Sequence, residues 1–341
     1  MIWLNWQWEV KLVEMKYTLA LLFVSLAYTA HAVPIQEATA HYQRHIQFPG
    51  DDGLMHDVDL EDEVDEELLV GIAERNAYYL FTRLNPDSAQ TLVINDADSI
   101  RNSNFNPAHN TVVVVHGWLG NQNTGINGRI RDAYLGKGDA NVIVLDWRRL
   151  ARSNYVTAVR GVPIVGVGLG QFVRYLVGVT GASYDRIHLV GFSLGGHLVG
   201  NAGRELEGRV ARITALDPAG PLWVFNSNRI NSNDGRYVEG IHTNGALIGL
   251  GYGSAIGHVD FFPNGGESQP GCLTPICDHN RAWEFFASTV SYNHLVGREC
   301  SNSLQISLNT CRGNQFPMGN DHMDKHGSGR YRVNTKRRYP Y

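Results

Sequence analysis

The sequence predicts an α/β fold in which helices cover both faces of a mostly parallel sheet. From about residue 71 onward, short apolar segments rich in β-branched residues alternate with longer segments of helical periodicity. The predicted strands read AYYLFTR, QTLVIN, TVVVVHGW, NVIVLDW, RIHLVGF and RITALDP, and a long apolar helix is expected over residues 162–179. Because parallel strands end at one edge of a sheet, we expect the functional groups at their carboxyl ends.

Composition limits the size and the class of the protein. The chain has 341 residues, of which 43% are hydrophobic, enough to fill one large core. Its formal net charge of −4 gives no general attraction to nucleic acid. We therefore expect a globular protein that binds no nucleic acid.

The N-terminal region has the features of a secretory signal. From Met15, the segment MKYTLALLFVSLAYTAHA has a basic Lys16, a short apolar run and small residues around Ala32. The run is too short to cross a bilayer. Residues 15–32 are thus predicted to be a signal peptide, and residues 1–14 an upstream extension that comes from an earlier start codon. The mature protein is expected to be secreted.

Residues 33–70 form an acidic segment. Ten acidic residues and no Lys or Arg lie between Asp51 and Glu67, and such a run is not expected to become ordered on its own. Two interpretations stay open: a pro-segment or regulatory arm, and a solvated N-terminal extension. Arg44, the last basic residue before the acidic run, is a plausible site for a trypsin-type protease. The folded domain is then predicted to span residues 71–341.

A candidate nucleophile lies in the segment HLVGFSLGGHLVGNAG. Ser193 stands between Gly191 and Gly195, after a predicted buried strand and before a predicted helix. A sharp strand-to-helix turn exposes the hydroxyl, and glycines on either side avoid clashes with the strained backbone. The alternative is an ordinary Ser that caps a glycine-rich helix.

A nucleophilic Ser needs a base and a carboxylate that orients the base. Asp217 ends the strand RITALDP, although a simple turn Asp would look the same in the sequence. Position favours His279 as the base, since it is predicted to lie on a loop before the amphipathic segment RAWEFFASTV. His258 fits better as a core or turn residue. The other later histidines are His242, His294, His322 and His326; of these, His294 and His326 are interpreted as surface residues.

An oxyanion needs two backbone N–H donors. The amide after the nucleophile, that of Leu194, is one candidate. The other is the amide of Trp118, because Gly117 lets the backbone approach closely in the turn after VVVVHG. The Trp118 side chain is also expected to line an acyl pocket.

Several motifs in order resemble the pancreatic lipase family, especially its secreted insect members, over about residues 71–320. They read HGW, VIVLDWRRLARSNY, GFSLGGHLVG, RITALDPAGP, GHVDFFPNGG and CDHNRAWEFF. The resemblance implies an α/β-hydrolase fold, a catalytic triad of Ser193, Asp217 and His279, and oxyanion donors at Trp118 and Leu194. It also implies two disulfides, Cys272–Cys277 and Cys300–Cys311, and no cofactor.

The sequence departs from that family pattern at four places. Phe192 replaces the His that often precedes the nucleophile. The chain ends at Tyr341, so no C-terminal β-sandwich and no colipase partner are expected. In the segment that aligns with a calcium-binding loop, Asn231 replaces an Asp ligand and only Asp234 remains, so no metal is predicted. The lid is very short, because only LTPI separates Cys272 from Cys277, and the neighbouring loop GALIGLGYGSAI is shortened as well.

Three hypotheses about function follow. The first is a secreted serine carboxylester hydrolase with an uncovered active site, which releases fatty acids from glycerolipids and prefers phospholipids or galactolipids, like a phospholipase A1. The second is a neutral digestive triacylglycerol lipase. The third is a non-catalytic, lipase-like yolk or binding protein, and an intact set of Ser193, Asp217 and His279 argues against it.

Overall fold

A computed structural model of the protein describes residues 43–245 and 249–341. The predicted signal peptide and upstream extension lie outside the described residues. One compact unit runs from Arg44 to Tyr341. It therefore begins before Gly71, where the sequence places the start of the folded domain.

The described residues contain strands and helices that we number in chain order. The strands are β1 His45–Pro49, β2 Met55–Asp59, β3 Ala77–Phe81, β4 Gln90–Leu92, β5 Asn110–Val115, β6 Ala140–Asp146, β7 Ile187–Phe192, β8 Arg212–Leu216, β9 Val238–Ile241, β10 Val259–Pro263, β11 Val296–Cys300, β12 Gln315–Pro317 and β13 Gly329–Val333. The helices are α1 Glu66–Leu69, α2 Ala97–Arg101, α3 Gly125–Lys137, α4 Arg148–Ala151, α5 Tyr155–Thr180, α6 Leu194–Glu205, α7 Pro275–Tyr292 and α8 Ser303–Leu308. Short 3-10 turns lie at Ile72–Arg75, Tyr184–Arg186 and Ser232–Asp234.

In the described part of the chain, eleven strands form one sheet in the order β12-β11-β13-β10-β9-β8-β7-β5-β6-β3-β4. Seven neighbouring strands in the centre of the sheet pair in parallel, in the order β13-β10-β9-β8-β7-β5-β6. Antiparallel pairs are added at one side by β11 and β12 and at the other by β3 and β4. All six predicted strands are present. The predicted α/β architecture is therefore confirmed.

The valine run of β5 shows how the sheet separates two apolar layers. Val113 and Val115 join the cluster that contains α5 and α6, and Val112 and Val114 join the cluster that contains α3 and α7. Successive side chains of a strand point to opposite faces, and burial of each valine stabilises the fold by roughly 1.5–3 kcal/mol. Both faces are covered, which explains why the central strands read as continuous apolar runs rather than alternating ones.

Helix α5 is the long apolar helix that the sequence predicts. It begins seven residues earlier than expected, because the side chain of Asn154 caps it by accepting a hydrogen bond from the Thr157 N–H. It ends where Gly181 adopts a left-handed conformation, with φ of 71°. By length and composition this helix would also suit a membrane span, but it packs along the sheet, and half of its most apolar window is buried.

Within the acidic segment, residues 45–59 form ordered structure. Strands β1 and β2 pair in antiparallel fashion as a hairpin that does not join the main sheet. Phe48 is fully buried and Val58 is 3% exposed, and both belong to the apolar cluster on the α5 side of the sheet. The idea of a solvated extension is thus wrong for residues 45–59, because two apolar side chains anchor a segment whose carboxylates mostly face solvent.

Candidate active site

Ser193 lies in a strained turn between β7 and α6. Its φ of 56° and ψ of −123° are unusual for a residue with a side chain. The two neighbouring glycines are required by close packing, since a Cβ on Gly191 would lie 2.0 Å from the Gly195 carbonyl oxygen. A Cβ on Gly195 would lie 2.6 Å from the carbonyl oxygen of His116. The turn has the geometry of a nucleophile elbow.

Asp217 follows β8, the strand next to β7, and is fully buried. Its Oδ1 accepts hydrogen bonds from the backbone N–H groups of Thr243 at 2.7 Å and Asn244 at 3.0 Å. These two residues follow β9, so the carboxyl ends of two adjacent strands hold one carboxylate. The second oxygen, Oδ2, remains for a partner side chain.

That partner is His279. Its Nδ1 lies 2.6 Å from Asp217 Oδ2, and the imidazole packs on the Phe192 ring with centroids 4.4 Å apart. The predicted loop position is wrong, since His279 lies inside α7, which begins at Pro275. The Thr274 hydroxyl caps this helix by accepting a hydrogen bond from the Cys277 N–H. Helix α7 therefore fixes the position of the base more firmly than a loop would.

The reactive atoms of Ser193 and His279 have no hydrogen-bond partner among the described residues. Both Ser193 Oγ and His279 Nε2 are buried, and each residue is only 2% exposed. Buried polar atoms are normally hydrogen bonded, so two unpartnered ones at one place call for a functional explanation. A nucleophile and its base often approach closely only once substrate is bound.

The candidate oxyanion donors lie on two different elements. Leu194 is the first residue of α6, where the helix dipole favours negative charge, and Trp118 lies in the turn after β5. Two buried residues that the sequence reasoning missed hold this turn. His116 Nδ1 lies 2.9 Å from the Gly117 oxygen, and Trp147 Nε1 donates to the His116 oxygen at 2.9 Å. The sequence pattern that could have indicated them is a polar or aromatic residue directly after a buried strand: His116 follows VVVV, and Trp147 follows NVIVLD.

The candidate active site is covered, which contradicts the expectation of an uncovered one. The Cys272–Cys277 loop is as short as predicted, and Leu273 on it is 98% exposed. The cover is the N-terminal hairpin instead: the ring centroid of its Phe48 lies 6.2 Å from that of His279. Sequence reasoning could not find this contact, because the two residues are far apart in the chain.

A second hairpin residue touches the oxyanion turn. The carboxylate of Asp51 accepts a hydrogen bond from the Gly117 N–H at 2.5 Å, and the Asp51 N–H donates to the Trp118 oxygen at 2.8 Å. Asp51 as a residue keeps partial exposure, but its carboxyl lies against the protein interior. Burial raises its pKa to about 6, although His116, the Gly117 amide and His279 act in the opposite direction.

The other histidines lie away from Ser193 and Asp217 or have other partners. His258 Nδ1 accepts a hydrogen bond from the Val238 N–H at 3.0 Å, as expected for a structural residue. His242 is buried with its Nε2 2.8 Å from Asp260 Oδ1; burial alone would lower its pKa, but Asp260 raises it. The remaining candidates are exposed, namely His294, His322 and His326.

The segment that resembles a calcium loop is closed by a cation of the protein itself. Asp234 accepts a hydrogen bond from the Asn231 N–H at 2.9 Å and pairs with the Arg204 guanidinium at 3.1 Å. A guanidinium thus already neutralises this carboxylate.

The structure contains both expected disulfides, Cys272–Cys277 and Cys300–Cys311.

The sheet order, the elbow after β7 and the carboxylate after β8, which contacts an imidazole on α7, define an α/β-hydrolase fold. The family model for lipases matches residues 71–341, and the chain belongs to the lipase family. The match begins where the sequence places the start of the domain, so the hairpin lies before it.

Individual relatives carry different names. Rat pancreatic lipase-related protein 2 is 38% identical over 64% of this chain and 49% of its own length. Mouse pancreatic triacylglycerol lipase is 32% identical over 77% of this chain and 61% of its own, and bovine phospholipase A1 member A is 37% identical over 72% and 55%. The chain thus spans about half to three fifths of the length of these relatives.

Proposed function

We propose that the protein is a secreted serine carboxylester hydrolase that releases fatty acids from glycerolipids. The 2.6 Å contact between His279 Nδ1 and Asp217 Oδ2, beside an elbow that presents Ser193, is the observation that carries the proposal. The names of the relatives include both a triacylglycerol lipase and a phospholipase A1. They support a lipid ester as the substrate class.

The proposed mechanism proceeds through an acyl-enzyme. His279 Nε2 accepts the proton of Ser193 Oγ while Oγ forms a bond to the ester carbonyl carbon, and Asp217 stabilises the resulting imidazolium. The N–H groups of Trp118 and Leu194 would stabilise the oxyanion. His279 then donates its proton to the departing glycerol oxygen. A water molecule attacks the acyl-enzyme by the same steps and releases the fatty acid.

Within this class we propose a preference for phospholipids or galactolipids. Four residues between Cys272 and Cys277 give a loop with a contour of about 14 Å, which can project only about half of that distance. Such a loop leaves room for a polar head group beside the scissile ester. The alternative remains a triacylglycerol lipase, and the matched relatives include one.

The first test is the substitution Ser193→Ala. We expect it to lower ester hydrolysis by about 10⁵-fold or more, since members of a triad act as one unit. Ser301→Ala, a change at an exposed position outside the site, serves as the control and should keep full activity. A Ser193→Ala variant that retains a tenth of the activity would show that another nucleophile operates.

The second test compares substrates in one preparation. Release of fatty acid from emulsified triolein and from phosphatidylcholine is measured below and above the concentration at which each lipid aggregates. We expect phosphatidylcholine to be cleaved faster than triolein, both below and above that concentration. Dominant triolein activity would refute the preference and leave the proposed triad standing.

A further inference from the structure

The hairpin β1–β2 lies directly over the candidate nucleophile and base. We propose that residues 45–59 occupy the acyl-chain site of the enzyme and that this hairpin must be displaced before a lipid substrate binds. This inference rests on the proposed ester hydrolase function. Whether the hairpin occupies the acyl-chain site can nevertheless be tested by binding, without catalysis.

Phe48 fills an aromatic slot beside His279. Its ring centroid lies 4.7 Å from that of Tyr155 and 6.1 Å from that of Trp118, and the side chain has no exposed surface. Trp118 and Tyr155 in turn pack edge to face at 5.5 Å. A slot with apolar walls that ends at the catalytic imidazole is the environment that an acyl chain requires. Phe48 takes the place of that chain.

Asp51 engages the turn that would hold the oxyanion. An ideal Cβ on Gly117 would lie 2.9 Å from Ser193 Cβ and 3.2 Å from Asp51 Oδ2, so the carboxylate and the nucleophile flank the same glycine. A negative charge at this position opposes the negative charge that develops on the substrate carbonyl. The hairpin thus blocks the acyl site with one residue and disfavours the transition state with another.

The hairpin is built so that it can detach. Its two strands pair only with each other in the described part of the chain, and an isolated two-stranded hairpin is marginally stable in water. The acidic segment after it is mostly exposed from Glu61 to Glu67. Displacement therefore leaves the eleven-stranded sheet intact.

Cleavage at Arg44 would not uncover the site. The hairpin begins at His45 and would stay attached to the domain, and no Lys or Arg lies between Arg44 and Arg75. Arg44 also pairs with Asp59 at 2.6 Å and with Glu61 at 3.1 Å. A trypsin-type protease that cuts at Arg44 thus leaves the hairpin attached to the domain. We expect the lipid chain to displace the hairpin while it remains attached.

The experiment uses the full chain in a Ser193→Ala background, in which binding is measured without turnover. The probe is a fluorescent, uncharged monoalkyl glycerol ether with a long chain. Phe48→Ala should bind it at least tenfold more tightly than the parent protein. Leu54→Ala, a change at a position of the same hairpin that is 61% exposed, should bind it within twofold of the parent.

A second variant tests the same proposal in case Phe48→Ala does not fold. A specific protease site is introduced at the exposed residues 61–63, and the folded full chain is cut after purification. The cut protein should bind the ether at least tenfold more tightly than the uncut protein. Unchanged affinity in both the Phe48→Ala and the cut protein would overturn the proposal. Tighter binding without ester hydrolysis in the corresponding Ser193 proteins would support the hairpin as occupant and refute the proposed hydrolase function.

Discussion

Two phenylalanines contact the His279 ring from different regions of the molecule. Phe192 belongs to β7, which pairs in parallel with β5 on one side and β8 on the other. Phe48 belongs to a hairpin whose strands pair with no other strand in the described residues. Both side chains are almost completely buried. Two side chains that are equally buried are therefore not equally integrated into the fold.

Two carboxylates near His279 differ in the same way. Asp217 receives two backbone N–H groups on one oxygen and the imidazole on the other. Asp51 receives the single N–H of Gly117, and burial raises its pKa to about 6. The carboxyl ends of the strands thus provide hydrogen-bond donors for the buried Asp217 carboxylate. The hairpin instead places the Asp51 carboxyl where burial disfavours its charged form.

The largest expected effect in this comparison concerns the proposed base, which lies on α7. His279→Gln should lower ester hydrolysis by about 10⁴-fold, because it removes the proposed acceptor of the Ser193 proton. His258→Gln is the matched control, since this histidine contacts the Val238 N–H and not the triad. Initial rates on a soluble ester decide the question. An active His279→Gln protein beside an inactive His258→Gln protein would reverse the assignment.

The next effect separates the two phenylalanines by stability. Phe192→Ala should lower the free energy of unfolding by about 3–5 kcal/mol, as for other buried aromatic truncations. Phe48→Ala should lower it by only about 1.4–2 kcal/mol, because the loss is limited to the free energy with which the hairpin docks, and a tenfold change in ether affinity corresponds to about 1.4 kcal/mol. Urea denaturation of the two full-length variants measures both values. Equal losses would mean that the hairpin is an integral part of the fold.

The smallest expected effect is a pH dependence of hairpin docking. The pKa of Asp51 is about 6 when docked, above its ordinary value of 3.8, so the docked state binds the proton more tightly. Protonation of Asp51 therefore favours docking. This contribution to the free energy of docking is complete below about pH 4 and is lost as pH rises through about 6. The affinity of the uncharged ether should therefore rise by up to about a hundredfold between pH 4 and 7.

Asp51→Asn is the control for this titration. The groups that face the Asp51 carboxyl are His116, His279, Asp52 and the Gly117 amide. Since the variant retains all of them, only the Asp51 contribution disappears, and its ether affinity should change much less with pH. A slope as steep as that of the parent protein would assign the titration to the histidines.

The strand-edge groups could be predicted from the sequence because local pattern determines them. A buried strand, a glycine-flanked Ser and a helical segment specify Ser193, and a strand that stops at Pro218 specifies Asp217. The helical position of His279 was missed because the amphipathic pattern is clear only from Arg281 onward. Thr274 before Pro275 was the available signal, since these residue types often begin a helix.

The hairpin could not be predicted, because its order depends on partners distant in the chain. The stretch from Asp51 to Glu67, which includes β2, has ten acidic residues and no Lys or Arg, a composition typical of unstructured chain. Phe48 becomes ordered only against Trp118 and Tyr155, which local pattern does not connect to it. For the same reason, the short lid between Cys272 and Cys277 suggested an uncovered site.

The compact unit begins at Arg44, whereas the match to the lipase family begins at residue 71. The cover of the active site and the groups beneath it are therefore encoded in separate stretches of the chain. Substitutions in residues 45–59 can alter access to the site without changing the strand ends that shape the chemistry. In the proposed hydrolase, the timing of action and the choice of substrate would thus depend on different segments of the chain.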